Sequence, residues 1–154
     1  MGASVKIDIA AAARRLGSTY PKPYDAPCAA RERTQLGDAA GLSDFGVNLL
    51  RLPPGAWSSQ RHWHDGEDEF VYVLAGEVVL ITDAGETLLR AGDCAGFPKN
   101  VADGHHLINR SASEAMVLEV GARSSRDVVT YSDIDMKTDA VSGAYVRKNG
   151  AAIP

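Results

Sequence analysis

A chain of 154 residues is long enough for one domain with its own core, and its 16 Lys and Arg against 20 Asp and Glu leave a net charge of −4. That balance offers no basic patch or stripe and argues against a nucleic-acid partner, while no apolar run approaches the roughly 20 residues of a membrane span. The two cysteines, Cys28 and Cys94, are too few for a disulfide framework and too far apart for a Cys-x-x-Cys knuckle, so buried free thiols are expected.

The first sixteen residues hold a short Ala/Arg stretch, expected to form an arm or one loose helical turn. Asp8 interrupts its apolar part and Arg14-Arg15 follow it, a poor secretory signal, so a cytoplasmic location is expected. Pro21, Pro23 and Pro27 impose extended chain. Arg31–Leu36 and Phe45–Leu52 read as strands, ended by the breaker Leu52-Pro53-Pro54-Gly55. From there short apolar runs alternate with Gly, Asp or Asn turns, the rhythm of a sandwich or barrel. The strands are expected at Ser58–His64, Glu69–Leu74, Glu77–Asp83, Glu86–Arg90, Asp93–Pro98, His105–Asn109, Glu114–Gly121 and Asp127–Tyr131. No helical pattern is long enough for an α/β fold. After Tyr131 the pattern decays into a polar tail. The expected division is an arm with the first strands over 1–40, a β-barrel over 41–132 and a short C-terminal tail over 133–154.

Phe70, Tyr72 and Leu74 alternate with Val71 and Val73, so this strand is apolar on both faces. One face can look into the barrel. The other needs cover from the arm or from a second subunit, and a homodimer is the expected assembly. Trp63 is expected on that outer side.

The chemistry concentrates between Gly55 and Gly76. His62 and His64 are two apart on a strand, so both imidazoles face one way. If Asp65-Gly66-Glu67-Asp68 forms the loop of a hairpin, Glu69 lies directly across from His64 and Val71 across from His62. Two imidazoles and a carboxylate then converge, and a register slip of one residue would scatter them or promote Glu67 or Asp68 instead. Downstream, His105 or His106 can add a third imidazole. Gln60 shares the inner face with His62 and could line a pocket. Asp103 and Lys99 border the mouth, and Arg123 and Arg126 could attract an anion; solvated side chains are the simpler expectation for all four.

Gly55, His62, His64, Glu69 and Gly76 resemble the first motif of the cupins, and Gly92, Pro98, His105 and Asn109 resemble the second. Asn100 stands where the second motif has a glycine, and the loop before His105 is two residues longer than usual. His105 fits the His-x-x-x-Asn spacing; His106 is then expected to face outward or bond beside the site, with Asn109 orienting a neighbouring loop. The whole chain is similar to small single-domain cupins labelled mannose-6-phosphate-isomerase-like. The resemblance implies an all-β fold, a double-stranded β-helix or jelly roll. It also implies a divalent transition metal (Zn, Mn, Fe or Ni) on His62, His64, Glu69 and His105. Such an ion keeps open positions for a small-molecule ligand. The expected function is an isomerase, lyase or oxygenase acting on a sugar, sugar phosphate or hydroxy- or keto-compound. The alternative is a binding or sensing module without turnover.

Overall fold

Along the strand Glu69–Ala75 burial alternates: Val71 and Val73 are buried while Phe70, Tyr72 and Leu74 stay exposed. The same period of two recurs along Glu77–Thr82, at the end of Phe45–Leu52 and at the start of Ala115–Ala122, and places one face of each sheet against the other. The structure, a computed structural model describing residues 5–154, contains thirteen strands. They are β1 (Arg14–Leu16), β2 (Glu32–Gln35), β3 (Phe45–Leu52), β4 (His62–His64), β5 (Glu69–Ala75), β6 (Glu77–Thr82) and β7 (Gly85–Arg90). The chain continues through β8 (Cys94–Phe97), β9 (His106–Ile108), β10 (Ala115–Ala122), β11 (Val129–Tyr131), β12 (Lys137–Thr138) and β13 (Tyr145–Val146). Among the described residues helix is confined to the four-residue α1 (Leu36–Ala39) and two 3-10 turns, Ile9–Ala11 and Ala26–Cys28.

One sheet has the order β1-β2-β3-β10-β5-β8. Opposite it lie β13-β12-β11-β4 and β7-β6-β9, joined by the bridge between His62 and His105. All pairings are antiparallel, and the two layers form the double-stranded β-helix of a jelly roll. The core between them is aliphatic: Leu50, Leu52, Val73, Val78, Ala115 and Val117 are each at most 1 % exposed. Burying each of the larger side chains contributes about 1.5–3 kcal/mol. Gly76 turns the chain from β5 in one sheet to β6 in the other at φ +73°, with no room for a Cβ beside the Glu114 carbonyl.

The hairpin expected between the His-x-His strand and the Glu69 strand does not form. β4 pairs with β11, His64 opposite Val129 and His62 opposite Tyr131, while β5 pairs with β10 and β8. The two strands lie in opposing sheets, and residues 65–68 bridge the layers. Long-range ladders on both sides outcompete the local pairing.

The described parts of the arm and the tail both join the fold. β1 and β2 extend the edge of the six-stranded sheet beyond β3, so the outer face of β5 is left uncovered. The expected polar tail supplies β12 and β13, buries Met136 completely and packs Tyr145 against Tyr20 and Tyr131. Of the two thiols, Cys28 is buried as expected, but Cys94 is exposed on β8.

Candidate metal centre

The site lies where β4, β5 and the residue before β9 meet across the barrel. His62 and His64 reach in from one sheet, His105 stands beside His62 on the adjacent segment leading into β9, and Glu69 comes from the opposite sheet. Three imidazole Nε2 atoms face one carboxylate: His105 at 2.7 Å, His64 at 3.2 Å and His62 at 3.5 Å from the nearer Glu69 oxygen. The shared face inferred from the period of two is present, but Glu69 arrives across the barrel rather than from the adjacent strand.

The far side of each ring is held differently. His62 Nδ1–H can donate to the Gln60 carbonyl at 2.8 Å, with Ser59 Oγ at 3.2 Å. His64 Nδ1–H donates to Asp127 Oδ2 at 2.6 Å, and Asp127 Oδ1 accepts from the Gly66 amide at 2.9 Å. A ring donating from Nδ1 carries its lone pair on Nε2, the atom aimed at the site. The His105 ring stacks flat on Phe97, centroids 3.6 Å apart.

Charge is concentrated here. For His64, burial pulls the imidazole down, but Glu69 and then Asp127 outweigh it and raise it to about 9. Burial pushes the Glu69 carboxyl up, yet its hydrogen bonds to His105, His62 and His64 hold it well below the ordinary carboxylate range. Burial dominates at His105 and lowers it. The donors fit a cation. His64 Nε2 is buried with only the Glu69 carboxylate near it, three ring nitrogens surround that carboxylate, and the rings of His62 and His64 can both donate from Nδ1, which leaves Nε2 to ligate once it is free of its proton. His64, Glu67 and Asp127 also cluster. However, Asp127 already holds His64, and Glu67 Oε1 accepts from the Ser124 amide at 2.7 Å.

The other expected residues divide. His106 turns away, its Nδ1 against the Ser59 carbonyl and its ring edge-on to Trp57. Asn109 is fully buried and locks the 109–113 turn to the end of β3 through Leu52 and Ser113 carbonyls. Gln60 is buried but spends its amide on the Tyr24 carbonyl. Arg123 pairs with Asp38 at the cavity rim, while Asp103 caps the Asp83 amide at 2.7 Å. Trp63 is half-buried and borders a pocket of about 210 Å³ with Leu80, Phe97 and Val101, not an open outer face. Asp127 was not singled out by its sequence context. Its role depends on the β4–β11 pairing, for which no local signal exists.

The cluster opens on a cavity of about 880 Å³, reached also by Arg15, Arg31, Arg33, Glu119 and three tyrosines. Arg33 forks onto Glu119 through Nε at 2.7 Å and Nη2 at 3.1 Å.

The cupin-domain family model matches residues 48–121. A protein described as a sugar phosphate isomerase of the cupin superfamily from Silicibacter pomeroyi is 47 % identical, with 97 % of this chain and 96 % of that one covered at a TM-score of 0.91. The chain is a cupin. A second similar structure, named provisionally as a sugar phosphate isomerase, comes from Acidithiobacillus ferrooxidans. It is 31 % identical over 81 % of each chain at a TM-score of 0.73. A polyketide cyclase from Streptomyces resistomycificus shares the fold at 16 % identity, covering 76 % of this cupin and 78 % of the cyclase, TM-score 0.60. No curated protein sequence matches the chain.

Proposed function

We propose that this cupin is a metal-dependent isomerase of a small sugar phosphate, with the ion held by His62, His64, Glu69 and His105. The observation that carries the reading is the convergence of three Nε2 atoms on the Glu69 carboxylate at one side of a large, arginine-lined cavity. The resemblance to two structures bearing sugar phosphate isomerase names supports the substrate class. A bound divalent ion would polarise a carbonyl or hydroxyl oxygen. The chain supplies the rest. Asp127 and the Gln60 carbonyl hold two rings in the ligating tautomer. Glu67 borders the cavity, and burial raises its carboxyl above the ordinary range, so it suits taking up and returning a proton between neighbouring carbons.

The test is elemental analysis of protein purified without chelator or histidine tag, followed by a panel of aldose and ketose phosphates. One ion per chain, lost in His64→Ala, with interconversion of one sugar phosphate pair supports the proposal. An ion without turnover of any sugar phosphate would turn the reading to a binding module. No ion at all would end it.

We further propose that a second copy covers the outer face of β5. Phe70, Tyr72 and Leu74 remain 40, 37 and 48 % exposed, and among the described residues neither the arm nor the tail crosses them. Sedimentation of wild type and Tyr72→Glu tests this: a dimer that dissociates in the variant is expected, and a monomeric wild type contradicts it.

A further inference from the structure

The arm before β2 carries two arginines whose positions the metal centre does not explain. Arg31 is only 7 % exposed, yet it forms no ion pair among the described residues. Its Nε–H donates to the Gly17 carbonyl at 3.0 Å and its Nη1 to the Ser58 carbonyl. Neighbouring Arg33 donates to the same Ser58 carbonyl at 3.0 Å, but its charge is matched by Glu119. Two guanidinium groups therefore meet at one oxygen with one carboxylate between them. Burial, and then the charge of Arg33, pull Arg31 below an arginine's ordinary range. A buried, uncompensated cation is costly, and folds retain one where a counter-charge arrives from elsewhere.

Arg15 adds a second free positive charge on the same wall. In the β1–β2 ladder it stands directly opposite Arg33, so both share the inner face, and its side chain makes no hydrogen bond or ion pair among the described residues. Hydroxyls complete the surroundings: Thr19 and Tyr145 bond to each other at 3.0 Å, and the Tyr20 ring lies 5.8 Å from the Arg31 guanidinium carbon. The wall adjoins the metal centre. Ser58, which both arginines touch, precedes Ser59, whose hydroxyl lies 3.2 Å from His62 Nδ1.

We infer that Arg31, assisted by Arg15, is the seat of the substrate's phosphate group, so that the arm fixes one end of the molecule while its oxygen-bearing other end reaches the histidines. The assignment deepens the isomerase reading and rests on it for the identity of the substrate, but not for the anion site itself. A tetrahedral dianion satisfies donors arriving from separate directions and returns more electrostatic energy to two arginines than a single carboxylate charge does. The cavity of about 880 Å³ leaves space for a sugar between the two ends. The arm thereby becomes a determinant of specificity: a sugar without phosphate lacks the contact that holds it in register.

The experiment uses the full chain stripped of metal with chelator and titrated calorimetrically with inorganic phosphate, with acetate as the carboxylate arm. Metal stoichiometry is measured separately. Saturable binding of one phosphate per chain is expected, without metal, and weakened roughly 10- to 100-fold by Arg31→Gln. Arg31→Lys should recover part of the loss, because charge is kept while the fork is lost. Arg15→Gln, an exposed position without contacts to break, should weaken phosphate about threefold or more even if Arg31→Gln fails to fold. Absence of saturable phosphate binding by the wild type overturns the inference. So does phosphate affinity unchanged in Arg15→Gln and in any folded Arg31 variant, or acetate binding as tightly as phosphate. A chain that binds phosphate but never an ion refutes the isomerase reading alone. One that binds an ion but not phosphate refutes only the arm assignment.

Discussion

Asp127→Asn tests how the barrel sets the state of His64. The carboxylate is 9 % exposed and accepts two hydrogen bonds, from His64 Nδ1 at 2.6 Å and from the Gly66 amide at 2.9 Å. Asparagine keeps the size but turns one acceptor into a donor. If its oxygen keeps Gly66, its NH2 faces His64 Nδ1, and the ring must accept there. The ring proton then moves to Nε2, the nitrogen 3.2 Å from Glu69, and that nitrogen can no longer ligate. If the amide turns over, its NH2 opposes the Gly66 N–H and the loop 65–68 is strained. Changing such a supporting partner costs roughly 10–100-fold in metal affinity, about 1.4–2.8 kcal/mol. Asp127→Ala removes the orientation without reversing it and should fall at the milder end. Affinity is read by competition with a chromogenic chelator, with circular dichroism to verify the fold. If both variants stay within about twofold of wild type while His64→Ala abolishes binding, Asp127 does not govern the ring and the argument fails.

Because His64 stands at about 9 in the metal-free protein, an ion must displace a proton at neutral pH. Chelator competition should show affinity climbing by about tenfold per pH unit from neutral toward 9 and then levelling. The same raised value stabilises the metal-free fold fully below the ordinary histidine value of about 6.5, and that stabilisation is lost as pH rises through 9. The melting temperature of stripped protein should fall across that window. Glu119→Gln leaves Arg33 without its counter-charge. With the two side chains 24 and 19 % exposed, a loss of about 2 kcal/mol in urea unfolding is expected, less than for a fully buried pair. Gly76→Ala forces a Cβ to 2.7 Å from the Glu114 carbonyl oxygen at φ +73°, and should cost about 2 kcal/mol or more, visible as a lowered melting temperature.

Much of the site was legible because its spacing is local. His62, His64 and Glu69 sit within one short stretch, and the period of two puts both imidazoles on one face in any sheet. The preference for His105 over His106 followed from the His-x-x-x-Asn spacing that the cupin motif shares with Asn109, and His106 does turn to Ser59 and Trp57. The strand rhythm after Gly55 was readable for a similar reason, since alternating burial and glycine turns are short-range properties. Pairing was not readable. A hairpin between β4 and β5 looks natural over four polar residues, yet β11 and β10 are better partners. They lie more than forty residues away, and the pairing is decided by which apolar faces must close on each other.

The amino-acid order alone determined an all-β cupin, its His and Glu cluster and a two-faced apolar strand, because each is written in residue type and spacing. Only the folded chain decided that Glu69 crosses from the opposite sheet, that Asp127 backs His64, and that the arm and the tail wall the cavity with Arg31 and Tyr145. Those facts depend on contacts between segments distant in sequence. Loop closure over such distances costs little more than over short ones, so nothing local reveals which distant partner wins.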